Sequence, residues 1–116
     1  MPIPIPVYIV PNLSLSELDI LEKANDLTAD VTVASTIVLA ANKHRTTVIF
    51  TNDSDSTIYL KLGQDAAVNT GIRLNAAGGA FELNKSNMFK GRVSAIHGGS
   101  GNKVLCIEEI ESRYAY

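Results

Sequence analysis

From residue 31 onward, apolar residues recur at every second position, and the runs are broken by glycine, asparagine, aspartate and serine. A period of two belongs to a strand that buries one face. Val31, Val33, Ile37 and Leu39 alternate with small or polar residues. Ile58, Leu60 and Leu62 do the same, opposed by Thr57, Tyr59 and Lys61. Ile72 with Leu74, Phe81 with Leu83, Val93 with Ala95 and the run 104–107 repeat the pattern. Turn residues separate them: Asn42, 52–56, Gly63, Gly71, Gly78, Gly79, Gly91 and 98–101. The spacing predicts about seven strands, near 30–40, 45–52, 57–63, 71–75, 79–84, 91–97 and 103–110. Short strands with regular turns build an antiparallel β-sandwich, Ig-like or jelly-roll-like. The stretch TVIFTNDSDSTIYLKLG, 47–63, reads as a core hairpin with a wet tip at Asp53, Ser54 and Asp55, whose short side chains favour turns. The segment 64–69 is expected to add one helical turn. In strand 103–110, Val104 with Cys106 and Leu105 with Ile107 compete for the buried face.

The segment before this pattern is different. Prolines at 2, 4, 6 and 11 fix backbone dihedrals and remove amide donors, so residues 1–11 form an extended arm. Ile3, Ile5, Val7, Tyr8, Ile9 and Val10 make that arm apolar, so it either packs on its own domain or reaches across to a neighbouring subunit. Residues 14–25 read as a helix. Ser14 and Glu17 fit a capping box, and Leu15, Leu18, Leu21 and Ala24 form one stripe. The expected organisation is an arm at 1–11, a short helix and connection at 12–28, and one sandwich domain at 29–116.

A chain of 116 residues that is 46% hydrophobic and 19% charged has globular composition and is long enough to bury about two-thirds of its surface. The net charge of −2 argues against nucleic-acid binding, which rests on many phosphate-facing cations. The single cysteine, Cys106, excludes an internal disulfide. No secretory segment or membrane span is expected: the proline-broken start lacks early basic residues, and no stretch approaches about 20 apolar residues. Charge is uneven, with five acids and one base in residues 1–30, and an excess of bases in 31–107. Either this is chance on solvated faces, or acidic and basic parts meet, in the same chain or on a neighbour.

The residues offer little catalytic chemistry. His44, in an expected exposed turn, and His97, at a strand end, have no partner at metal-ligand spacing, so no metal is expected. Cys106 in an apolar strand reads as a buried structural thiol. The loop HGGSGNK at 97–103 lacks the phosphate-loop spacing and the helix that must follow it. Asp53 and Asp55 lack the later ligands of a calcium loop. No cofactor and no enzymatic activity are expected. Asp53, Ser54, Asp55 and His97 remain as loop-contact candidates.

Several motifs go further: Asn42-x-x-Arg45, VIFTND ending near Asn52, IYLKLG ending at Gly63, GIRL at 71–74, GGAFEL at 78–83, GRVSAI at 91–96 and VLCIEE at 104–109. In this order residues 41–110 resemble the small β-sandwich virion proteins of tailed bacteriophages, which decorate the capsid or form head or tail appendages. The resemblance implies a structural virion protein assembled in the host bacterial cytoplasm. Its partner would be the major capsid protein or another virion protein. Such a role suits a homo-oligomer, for which a trimer matches capsid three-fold positions, and the apolar arm, which lies outside the resemblance, is the expected docking element of a capsid decoration protein. A receptor- or carbohydrate-binding module, or a connector or tail appendage, is the alternative.

Overall fold

A computed structural model describes residues 22–112, and all structural statements below concern these residues. The strands are β1 (Glu22–Asp26), β2 (Ala29–Val31), β3 (Thr36–Leu39), β4 (Arg45–Asn52), β5 (Ile58–Leu62), β6 (Ile72–Leu74), β7 (Ala80–Leu83), β8 (Val93–His97) and β9 (Lys103–Ser112). They form two antiparallel sheets. Sheet A runs β1-β9-β4-β7, with β2 also on β9, and sheet B runs β3-β8-β5-β6.

The pairings have a simple order. β5 pairs β6, β4 pairs β7, β3 pairs β8, and β2 with β1 pairs β9. The chain is therefore one long hairpin, folded back at the β5–β6 tip and rolled so that successive pairs fall in alternating sheets. That is the jelly-roll solution for an antiparallel sandwich, and it decides between the two sandwich types expected from sequence. β1 and β2 lie end to end along β9. Leu27 and Thr28 bridge them through hydrogen bonds with Ile107, at 2.8 Å from the Leu27 amide and 3.3 Å to the Thr28 hydroxyl.

The core is the alternation made physical. Val48 and Phe50 of β4, Ile58 and Leu60 of β5, Val93 and Ala95 of β8, and Leu105 and Ile107 of β9 are buried between the sheets. Each such side chain contributes about 1.5–3 kcal/mol of apolar burial. Phe50 stacks on Phe81 across β4 and β7, with ring centroids 6.5 Å apart. The question of β9 is settled: Leu105, Ile107 and Glu109 point inward, while Val104 is 39% exposed. Tyr59 points to the outer face of sheet B, opposite the Ile58 and Leu60 row. There it is buried with Ile96 and Ala66, and its hydroxyl donates to Asn69 Oδ1 at 2.9 Å.

Several expectations are corrected. The 47–63 stretch is not a hairpin: β4 and β5 lie in different sheets, and 53–57 is an arch between them. Alternation shows that two runs are strands and says nothing about whether they pair. The single strand near 30–40 is two strands, β2 in sheet A and β3 in sheet B. A register shift between Ile37 and Leu39 lets both Val38 and Leu39 face the core. Ile37 is thereby turned outward, 57% exposed, and Val33, in the connection between β2 and β3, is 58% exposed, although both were counted with the apolar row. Residues 22–25 of the expected helix 14–25 are strand, because the far half of the ten-residue β9 presents backbone groups that β1 satisfies. The sandwich expected from residue 29 thus takes in β1. The segment 64–69 is an irregular loop closed by a turn. The Thr70 amide bonds the Ala67 carbonyl at 3.2 Å, and Asn69 has φ 66°. The arm residues Ile3, Ile5, Val7, Tyr8, Ile9 and Val10, and the rest of the expected helix, lie outside the described residues.

Candidate functional site

The polar residues singled out in the sequence fall at the two ends of the sandwich. At one end the arch 53–57 meets the loops 75–79 and 98–102. Asn52 ends β4 and is wholly buried. Its Nδ2 donates to the carbonyls of Ser56 at 2.7 Å and Leu74 at 3.0 Å, and its Oδ1 accepts the Ser54 hydroxyl at 2.6 Å. Its backbone bonds Gly78 and Gly79 at 2.8 Å each. One amide side chain thus supplies the partners that an arch between two sheets leaves unmet. Ser54 is tied into this turn, and its carbonyl accepts the Ala77 amide at 2.9 Å.

Asp53 is exposed, and its amide bonds the Val104 carbonyl at 3.2 Å. Asp55 accepts Lys103 Nζ at 2.7 Å, and that hydrogen bond and charge hold its carboxyl below the usual value. His97 does not belong to this surface. It is fully buried, which overturns its expected role as a loop contact. Its Nδ1 accepts the Gly99 amide at 3.0 Å, so the proton sits on Nε2, which donates to the Gly101 carbonyl at 2.7 Å. The imidazole closes the glycine loop from inside.

At the opposite end lies Arg45, with a fully buried side chain. Its Nε donates to Glu109 Oε2 at 2.7 Å. Nη1 donates to the carbonyls of Phe89 at 2.6 Å and Gly91 at 3.2 Å, and Nη2 to that of Ala40 at 2.7 Å. Asn42 Nδ2 reaches Glu109 Oε1 at 3.2 Å and Glu111 Oε1 at 3.3 Å, and Asn25 of β1 donates to Glu111 Oε2 at 2.7 Å. Hydrogen bonds from Asn25 first and Asn42 second hold the Glu111 carboxyl below its usual value. The Asn42-x-x-Arg45 motif and Glu109 and Glu111 of β9 are therefore one clamp, joining β1, β4, β9 and the loops 40–44 and 84–91. Asn42, Arg45 and Glu109 stood out in the sequence without their connection, and Glu111 and Asn25 did not stand out at all, because the partners of Arg45 are mostly backbone carbonyls and the rest meet only through the pairing of β1 with β9. His44, expected to be exposed, is half-buried beside this clamp.

The concave surfaces are shallow. One, of about 250 Å³, lies on the outer face of sheet A among Asp26, Thr28, Ile49, Thr51, Cys106 and Glu108. Cys106 is half-buried there, not in the core as expected. Another, of about 200 Å³, lies by Tyr59, Asn69 and Arg73. Among the described residues no three His, Cys, Asp or Glu side chains converge to hold a metal ion. No helix among them is long and apolar enough to cross a membrane.

These features define the class as a jelly-roll β-sandwich whose buried polar groups serve the scaffold. No protein-family model and no curated protein matches the sequence. One solved structure is similar: a chain from work described as "Bacillus endospore appendages form a novel family of disulfide-linked pili", with 12% identity and a TM-score of 0.48, covering 80% of this chain and 88% of that one. At that distance the similarity carries no argument about function.

Proposed function

We propose that this chain is a non-enzymatic structural protein of a bacteriophage virion, a capsid decoration protein that docks through its N-terminal arm and acts as a homo-oligomer. The observation that carries this reading is the use of the polar residues. Arg45, Glu109, Asn52 and His97 are spent inside the scaffold, holding the loops at both ends in one shape. A rigid body with closed ends suits wall material. A receptor-binding module needs loops free to present side chains, and aromatic anchors are absent from 53–57 and 98–102. The composition of the arm supports the same reading: an extended apolar segment can add to a neighbour's surface.

The test is the copy number in purified particles by quantitative mass spectrometry, against the major capsid protein. Comparable numbers are expected. A number matching the portal or tail would place the protein in a connector or appendage, and absence from particles would end the virion reading. A chain lacking residues 1–11 should fold and fail to bind particles.

A further inference from the structure

The two outer faces of the sandwich carry opposite charge. On sheet A, Ile107 and Glu109 point inward, so Val104, Cys106, Glu108 and Ile110 point out. The register then places Asp26 of β1, Ile49 of β4 and, through Ile49, Glu82 of β7 in one outward row with Glu108. Asp30 stands outward beside Val104, and Glu22 beside Ser112. All five acids are exposed, and no described lysine or arginine of these strands shares their face. On sheet B, Tyr59 points out but is buried beneath the loop 64–70, and Lys61 of β5 and Arg73 of β6 lie on the same side and flank that loop. Arg92 donates to the outward Ser94 hydroxyl at 3.1 Å, and the single acid over this face is Asp65, 3.7 Å from Arg92. Each face also carries exposed aliphatics: Ile49 (37%) and Val104 on sheet A, Ile37 on sheet B.

From this charge complementarity we propose that copies of the chain associate head to tail, the acidic outer face of sheet A in one copy against the basic outer face of sheet B in the next. The alternatives are disfavoured by the same charges. Pairing two sheet A faces about a two-fold axis opposes five acids to five acids, and pairing two sheet B faces opposes the bases. A heterologous contact of this kind closes into a ring or continues as a filament, according to its rotation. Ile49 and Val104 on one face and Ile37 at the β3 edge of the other supply apolar contact, and the charges set partner and orientation. The inference rests on the homo-oligomeric part of the reading above and is independent of the virion.

The experiment uses the full chain. One variant carries Glu82→Lys and Glu108→Lys, and the other Lys61→Glu and Arg73→Glu. All four side chains lie on outer faces, so folding, checked by circular dichroism, should be kept. Sedimentation at about 0.1 M and about 1 M salt compares wild type, each variant and their equimolar mixture; the screening length falls from about 10 Å to about 3 Å between these conditions. Wild type should associate at low salt and weaken at least about tenfold at high salt, in line with steering by exposed charge. Each variant alone should be monomeric, and the mixture should associate again, because each reversed face meets the other. Monomeric wild type would overturn both this interface and the homo-oligomer. Oligomers that persist in both variants would overturn the interface alone and leave association to the arm.

Discussion

Arg45 places four hydrogen bonds on one carboxylate and three carbonyls, all in the interior. Its charge is tolerable only while Glu109 balances it. Arg45→Met should therefore lower stability by about 3–5 kcal/mol, because Glu109 is left as an uncompensated buried charge. Adding Glu109→Leu should recover part of that loss, since an apolar pair of similar volume avoids the desolvation cost. Urea denaturation of the two variants checks the order; a double variant less stable than the single one would contradict it. Asn52→Ala removes the amide donor to the Leu74 and Ser56 carbonyls, of which Ser56 keeps the Ser54 hydroxyl, and should cost about 1–3 kcal/mol. Glu111 and Asp55 have folded pKa values lowered from 4.5 and 3.8. A lowered carboxyl pKa stabilises the fold above the unfolded value, and that stability is lost as pH falls through the folded one. Urea midpoints should therefore drop below pH 4.5. The drop should be shallower in a chain carrying Glu111→Gln and Asp55→Asn; an unchanged slope would remove these groups from the account.

At the scale of the element, strands β4, β5 and β9 were legible as strands, and alternation also marked the buried face of β5, whereas the continuous apolar run of β9 left two faces competing. What was not legible is partnership. Val48 and Ile58 bury toward one core from opposite sheets, and nothing in their spacing tells an arch from a hairpin. At residues 22–25 the expected helix was outweighed by the open flank of β9, a tertiary demand that sequence periodicity does not carry. The acidic face of sheet A was also hidden, since its members come from β1, β2, β7 and β9 and meet only through the register. Turns were easier. Gly71 was marked as a break, and it has φ +79° with a hypothetical Cβ driven into the Leu60 carbonyl oxygen. Gly71→Ala should destabilise by more than about 1 kcal/mol, the sum of a left-handed backbone and a clash at the β5–β6 tip. Thermal melting tests it, with Gly78→Ala, at φ +113° but in open space, as the milder comparison.

For the whole molecule, β9 is the strand on which sheet A depends, because it pairs with β1, β2 and β4. A chain ending at residue 102 should show no cooperative unfolding transition, whereas removal of residues 1–11 should leave one. The rolled hairpin also fixes an order in time. Only β5 and β6 are both paired and consecutive; each further pair closes a longer loop, out to β2 with β9. Loop closure grows costlier with length, and chains dominated by distant pairings fold in milliseconds to seconds. The domain should therefore zip from its tip toward its ends, with Leu60 and Ile72 gaining amide protection before Ala29 and Leu105. The same order should hold on the ribosome: the seam between β1, β2 and β9 closes only once β9 has emerged, so the first strands made are the last to be placed, against a body already built.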